Sequence, residues 1–255
     1  MRIVVKVGTS TLAHKTGRLN IRHMEEFCKV LADIKNAGHE VILVSSGAIG
    51  MGVGKLGLNA RPTDMPTKQA AAAVGQCELM YTYDKMFAEF GHTVAQLLLT
   101  GADFSHEDRL LNLKNTFGRL LELGALPIVN ENDTIATEEI KVGDNDTLSA
   151  LVAANVGAEM LIILSDIDGL YTADPRKNPT AKRIERVTEL TDEIMALGGG
   201  EGSALGTGGM RTKLHAAEIC MAAGVTAVIA HGEDPTVLYR VLGGENVGTV
   251  FGGKV

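Results

Sequence analysis

The sequence predicts an α/β fold: a mainly parallel sheet with helices on both faces. Three observations carry this. Six short apolar runs recur along the chain, amphipathic stretches lie between them, and four of the runs end in clusters of Gly, Ser, Asn and Asp. The runs are Ile3–Val7, Val41–Ser45, Val94–Leu99, Leu126–Asn130, Met160–Ser165 and Val225–Ala230. They barely alternate between apolar and polar residues, which is the pattern of strands covered on both sides. Strands that alternate with helices join by right-handed crossovers, and this puts helices on each face of the sheet.

The intervening segments carry helix signals. Ile21, Met24, Phe27, Cys28, Leu31 and Ile34 fall on one face, with Asn20 suited to the N-cap and Gly38 to the position after the end. A second helix spans about 108–123 and stops at Gly124. A third follows Asn145 and stops at Gly157. A fourth begins near Met210 and stops at Gly224. The last starts at Asp234-Pro235, proline being suited to a first helical position. A further helix is expected after the small-residue turn Ser46-Gly47-Ala48. The glycine-rich stretch 198–209 reads as a loop, because a clear helix and strand follow it. No repeat and no low-complexity linker divides the chain, so residues 1–255 are expected to form one domain.

Composition narrows the function. The 255 residues are 45% hydrophobic and 22% charged, enough for a large core and too apolar for extended disorder. A net charge of −7 and an aromatic content of 4% argue against nucleic acid, which needs cationic surfaces and stacking rings. Small anionic ligands need only local positive charge. No apolar run approaches the ~20 residues of a membrane span, and no signal peptide is visible, so no membrane partner and a cytoplasmic location are expected. Cys28, Cys77 and Cys220 are isolated from one another in sequence and read as buried, reduced thiols. The histidines lack metal-type spacing, and no residue is assigned to a metal.

In open α/β sheets ligands bind at the carboxyl ends of the strands. Lys6 lies inside the first apolar run, ahead of Gly8-Thr9-Ser10. A lysine there either meets an anion or sits on an edge strand and snorkels to water. Ser45-Ser46-Gly47-Ala48 leads from a strand into a helix start, a geometry that suits anions but also an ordinary turn. Gly50, Gly52 and Gly54 imitate a dinucleotide fingerprint, but Lys55 stands where the pattern needs a later glycine, so the motif fails. Asn130-Glu131-Asn132-Asp133 and Lys141-Val142-Gly143-Asp144-Asn145-Asp146 gather more carboxylates than helix capping explains. They suit an ammonium ligand or the organisation of cations. Asp168-Gly169 and Asp174-Pro175 are turn signals, and Leu170 and Tyr171 between them would suit a flat ring or a structural turn equally. Gly206-Thr207-Gly208-Gly209 runs into a helix whose first turn holds Arg211 and Lys213, a phosphate cradle with cations at its rim.

In this order these motifs resemble the amino-acid kinase superfamily. The strings that carry the resemblance are Val5-Lys6-Val7-Gly8-Thr9-Ser10, Ser46-Gly47-Ala48-Ile49, Asn130-Glu131-Asn132-Asp133, Glu139-Ile140-Lys141-Val142-Gly143-Asp144-Asn145-Asp146, Gly169-Leu170-Tyr171-Thr172-Ala173-Asp174-Pro175 and Leu205-Gly206-Thr207-Gly208-Gly209-Met210-Arg211-Thr212-Lys213. The match is strongest to the branch that phosphorylates glutamate on the way to proline. The resemblance implies a three-layer αβα sandwich, with the glutamate site mainly in the N-terminal part and the ATP site mainly in the C-terminal part. It implies transfer of the ATP γ-phosphoryl group to the side-chain carboxylate of L-glutamate, with Mg²⁺.

Carried over by position, Lys6 and Lys213 would contact the transferring phosphoryl group and Asp146 would orient them. Ser46, Gly47, Asp133 and Asn145 would form the glutamate site. Gly8, Ser165, Asp166, Thr207, Gly208, Gly209, Met210, Arg211 and Thr212 would join the two lysines around ATP. Family members often carry threonine where this chain has Ser165, and the hydroxyl is kept. Many also continue into a small C-terminal PUA domain. This sequence stops at Gly252-Gly253-Lys254-Val255, about where that domain would begin, so no PUA domain is expected, in a short form or a cut chain alike. Proline as feedback inhibitor, a dimer or tetramer, and hand-over to a downstream glutamyl phosphate reductase are further expectations of the resemblance. The alternatives are a sibling kinase acting on another carboxylate, a carbamate or a phosphate, and a non-catalytic ligand sensor on the same fold.

Overall fold

The computed structural model describes residues 1–14, 18–136, 144–199 and 209–253. Among them, eight strands form one sheet in the order β3-β4-β2-β1-β5-β7-β8-β6. The strands are β1 (Arg2–Val7), β2 (Glu40–Ser45), β3 (Val94–Leu99), β4 (Leu126–Glu131), β5 (Met160–Ser165), β6 (Arg186–Val187), β7 (Thr226–His231) and β8 (Gly248–Phe251). The six expected strands match to within a residue at each end. All their pairings are parallel. β8 runs antiparallel to β7, with Gly248 opposite Ala230, so the connection between them begins and ends at one edge of the sheet and needs no crossover. Neither β8 nor the two-residue β6 was anticipated.

Ten helices are described: α1 (Thr9–Leu12), α2 (Ile21–Asn36), α3 (Ala48–Lys55), α4 (Met65–Ala88), α5 (Gly101–Ser105), α6 (Glu107–Glu122), α7 (Asn145–Asn155), α8 (Asp192–Ala196), α9 (Met210–Ala222) and α10 (Val237–Leu242). They cover both faces, giving three layers. Odd residues of β1 (Ile3, Val5, Val7) join Phe27 and Leu31 of α2 and Tyr83 and Phe87 of α4 in one apolar cluster. On the other face Val4, Val44 and Ile163 join Phe117 of α6, Leu148 of α7 and Leu214 of α9. The period-two alternation of a strand thus assigns each β1 side chain to a layer. Phe27 is fully buried, and its truncation to alanine would cost about 3–5 kcal/mol.

Local chemistry sets the helix limits. The Asn20 side chain accepts the His23 N–H at the start of α2. Gly38, Gly124, Gly157 and Gly224, the four expected helix stops, all have positive φ. The last helix differs from expectation. The Asp234 carboxylate accepts the Thr236 N–H in a tight turn, so the helix starts at Val237 instead of Pro235.

The 24-residue α4 was not anticipated as a helix. Its Asp64 N-cap accepts the Thr67 N–H, but its buried face is largely small: Ala71, Ala72 and Gly75 precede Leu79 and Tyr83. That face packs against the glycine-rich α3. A Cβ on Gly75 would lie 1.7 Å from the Ala48 carbonyl oxygen, and one on Gly52 would lie 1.8 Å from that of Ala71. The α3 glycines that imitate a dinucleotide fingerprint therefore include one that serves helix packing. α4 also reaches the sheet with two buried polar groups: Gln76, and Tyr83, whose hydroxyl is 2.7 Å from the Ser45 hydroxyl.

Candidate active site

The strand register lines up the site. Val7 of β1 is level with Ser45 of β2 and Leu164 of β5, and Val44 of β2 is level with Val129 of β4. The segments after these strands consequently emerge side by side at the carboxyl edge of the sheet. One row deeper lies Lys6, level with Val44 and Ile163. β1 is central in the sheet, between β2 and β5, so Lys6 cannot snorkel from an edge. It is 8% exposed among apolar neighbours, and its ammonium needs an internal partner.

The partner is Asp146, in the first turn of α7. Lys6 Nζ lies 2.7 Å from Asp146 Oδ1, and Lys213 Nζ of α9 donates to Asp146 Oδ2 at 3.0 Å. Asp146 is 1% exposed and Lys213 6%. One carboxylate thus takes an ammonium on each oxygen, and this brings together three segments distant in sequence. Burial by itself would raise the Asp146 carboxyl pKa; the two ammonium groups together outweigh it and hold the group well below the usual carboxylate range. The Thr212 hydroxyl lies 2.9 Å from Asp146 Oδ2 and 2.9 Å from the Gly209 carbonyl, so it braces the same carboxylate. Asp144, the α7 N-cap, accepts the Thr147 N–H at 2.8 Å. Burial raises its pKa and the nearby Asp146 charge adds to that, opposed in part by the Thr147 hydrogen bonds and, less, by Lys6.

Beside this triad is an amide cluster. Asn145 Nδ2 faces three acceptors: Ser46 Oγ at 2.7 Å, Asn130 Oδ1 at 3.0 Å and the Ser45 carbonyl at 3.2 Å. Its Oδ1 is buried with no hydrogen-bond partner among the described residues. Such an acceptor costs roughly 1–3 kcal/mol until a donor meets it. Ser46 is further tied by its own N–H to the Val7 carbonyl. Gly47 has φ +110°, a conformation that favours glycine, and forms the N-cap of α3. Asp133 lies half-buried in the turn after β4.

On the other side of β1, Ser165 ends β5 buried and donates to the exposed Asp166 at 3.2 Å. Gly8 caps α1, and a Cβ there would come 3.3 Å from Lys6 Nζ, so the glycine keeps the backbone close to the ammonium. Gly209 caps α9, Arg211 is exposed, and the Met210 side chain leans on the apolar core. Thr207 and Gly208 lie outside the described residues, as does the string from Glu138 to Gly143. Leu170 does not suit a ring-binding surface. It is 1% exposed within the core, while Tyr171 donates to Asp168 at 2.8 Å. Cys28 and Cys220 are buried as expected, but Cys77 is exposed.

Two polar residues outside the sequence-derived site join this cluster: Asn130, within the Asn130-Glu131-Asn132-Asp133 string, and Gln76 of α4. Asn130 Nδ2 donates to Gln76 Oε1 at 2.9 Å, and both side chains are buried. A glutamine flanked by Ala71, Ala72, Gly75 and Leu79 on a buried helical face was the available signal.

A mainly parallel α/β sheet that gathers two buried lysines on one carboxylate at its carboxyl edge suits phosphoryl transfer, in which the protein's part is to position charge around the migrating group. The model of the Amino acid kinase family matches residues 1–231, and this chain belongs to that family. It is 55% identical over 251 residues to the glutamate 5-kinase of Caldanaerobacter subterraneus subsp. tengcongensis, a match spanning 98% of this chain and 68% of that protein. It is 54% identical over 250 residues to the glutamate 5-kinase of Clostridium acetobutylicum, covering 98% of this chain and 94% of that one. Solved structures show the same fold at low identity. The Giardia lamblia carbamate kinase bound to AMP-PNP superposes with a TM-score of 0.70 at 18% identity, over 99% of this chain and 98% of that one. The T. acidophilum isopentenyl phosphate kinase does so with 0.66 at 16% identity, over 98% of this chain and all of that one. Among the described residues no helix is long and apolar enough to cross a membrane.

Proposed function

We propose that this protein transfers the γ-phosphoryl group of ATP to the side-chain carboxylate of L-glutamate, giving L-glutamyl 5-phosphate and ADP, the first step toward proline. The observation that carries the reading is the Lys6–Asp146–Lys213 clamp beside the unpartnered Asn145 Oδ1. The relatives at 52–55% identity, all named glutamate 5-kinase, select glutamate over the acceptors of the sibling kinases.

ATP and a carboxylate repel each other, and the protein is itself net negative, so local cations must gather them. The two ammonium groups serve the charge that spreads over the phosphoryl oxygens in a loose transition state, and Asp146 holds both in place. The attacking carboxylate is ionised near neutral pH, so no general base is required. Asn145 Oδ1 accepts from the glutamate ammonium, while Ser46, Gly47 and Asp133 complete that end of the site. Ser165, Asp166 and residues 207–212 take the nucleotide. Residues 1–255 act as one kinase domain, glutamate mainly on the N-terminal part and ATP mainly on the C-terminal part.

Among the described residues no group of three or more His, Cys, Asp or Glu side chains could hold a metal ion. The Mg²⁺ that the reading implies would arrive on the nucleotide phosphates, keep much of its water and add positive charge there. Inhibition by proline, a homodimer or homotetramer, a cytoplasmic location and delivery of the product to a glutamyl phosphate reductase belong to the same reading.

ADP release measured with a panel of amino acids tests it, with hydroxylamine present to trap an acyl phosphate. Glutamate should stand out, with hydroxamate forming in step with ADP. Equal rates across the panel, or preference for carbamate or a phosphate, would remove glutamate from the proposal.

A further inference from the structure

The buried amides form a chain that begins outside the ligand site. Gln76 on α4 accepts from Asn130 on β4 (2.9 Å). Asn130 Oδ1 accepts both the Glu131 N–H (2.9 Å) and Asn145 Nδ2 (3.0 Å). Gln76 is 7% exposed and Asn130 2%.

The two ends of an amide are nearly equal in shape, so its polarity is set by its partners. The Glu131 N–H can only donate and fixes one end of Asn130 as the oxygen. The other end, Nδ2, is a buried donor, and Gln76 Oε1 is the acceptor that meets it. With both ends held, Asn130 Oδ1 is aimed at Asn145 Nδ2. That contact, with the Ser45 carbonyl, turns Asn145 so that its own oxygen is the end left without a partner.

We infer that Gln76 is a positioning residue for the amino-acid site: through Asn130 it sets which end of the Asn145 amide faces the acceptor substrate. This rests on the glutamate reading above. Without Gln76, Asn130 Nδ2 is an orphan in the core. The side chain then turns to seek an acceptor, and its oxygen leaves Asn145. The nucleotide side, built on β5 and α9, shares no hydrogen bond with this chain among the described residues, so the effect is confined to the amino acid.

The test is steady-state kinetics of the full chain with glutamate and ATP varied separately, for wild type, Gln76→Met, Gln76→Glu and Tyr83→Phe. Gln76→Met keeps the length and removes the acceptor. It should raise the glutamate KM about five- to 150-fold, the range expected for one orphaned buried donor, with the ATP KM within twofold. Gln76→Glu keeps an acceptor oxygen and should recover most of that loss. Tyr83→Phe removes another buried polar contact of the same helix, to Ser45 instead of Asn130, and should leave the glutamate KM within twofold. Three results overturn the inference: an unchanged glutamate KM in Gln76→Met, equal rises in both KM values, or an equal rise in Tyr83→Phe, which would mean general loosening of α4. If Gln76→Met does not fold, Gln76→Glu together with Asn130→Asp decides. The aspartate still accepts from Glu131 and Asn145 but cannot donate, so two facing carboxyls should raise the glutamate KM by more than the product of the two single changes; a rise equal to that product refutes the coupling. A wild-type protein without glutamate-dependent ADP release would instead sink the functional reading itself.

Discussion

Replacing Asp146 by asparagine keeps the size of the side chain and removes the charge that pairs two buried lysines. At 2.7 and 3.0 Å, and an effective dielectric near 20, each contact has a Coulomb energy of about 6 kcal/mol. Desolvation of three charged groups offsets much of that. What remains is the loss seen when one partner of a buried pair is removed, about 3–5 kcal/mol. The expected result is a fall of that size in the unfolding free energy at pH 7, read from urea titration followed by circular dichroism. The pH dependence follows from the carboxyl being held below its ordinary value. A depressed folded pKa stabilises above the unfolded value, about 4, and that stabilisation is lost as pH falls below it. The gap between wild type and Asp146→Asn should therefore narrow below about pH 4. A gap under about 1 kcal/mol at pH 7, or one as large at pH 3 as at pH 7, would refute the charge argument.

Other outcomes test separate parts of the molecule. Lys6→Ala should slow ADP formation by about 10²–10³-fold in a coupled assay with the circular dichroism spectrum retained; near-wild-type turnover would remove Lys6 from the phosphoryl site. Asp133→Ala should raise the glutamate KM more than it lowers kcat, and an unchanged KM would place Asp133 outside the substrate site. Gly75→Ala should lower thermal stability by about 1–3 kcal/mol or more because its Cβ meets the Ala48 carbonyl, whereas Gly118→Ala, on α6 with nothing within 4 Å, should stabilise by about 0.5–1 kcal/mol. Thiol titration at pH 8 should find one fast group, the exposed Cys77, and three after denaturation, since burial pushes the Cys220 thiol up to about 12 and Cys28 higher still.

The six parallel strands were legible because strands buried on both faces leave unbroken apolar runs, and four of the intervening helices because each ends in a glycine. α4 was not. Its buried face is alanine and glycine, which pack by close backbone approach and leave little hydrophobic periodicity. β8 was missed because a four-residue antiparallel strand after a short helix has no distinctive pattern. In the site, Lys6 was conspicuous as a charge in an apolar run, but nothing local says whether its strand is central or marginal. That depends on β5 pairing with β1 after more than 150 residues of chain. The pairing of Lys213 with Asp146 spans 67 positions, and the Gln76–Asn130 contact spans 54; each exists only once the layers are stacked.

The shared carboxylate has a consequence for the working cycle. With Asp146 between them, the two amines are held side by side before any nucleotide arrives, so the phosphoryl transfer proposed above would find them in place without rearrangement. The work of bringing like charges together in a dry interior is done once, as the chain folds, and is not repeated at each turnover.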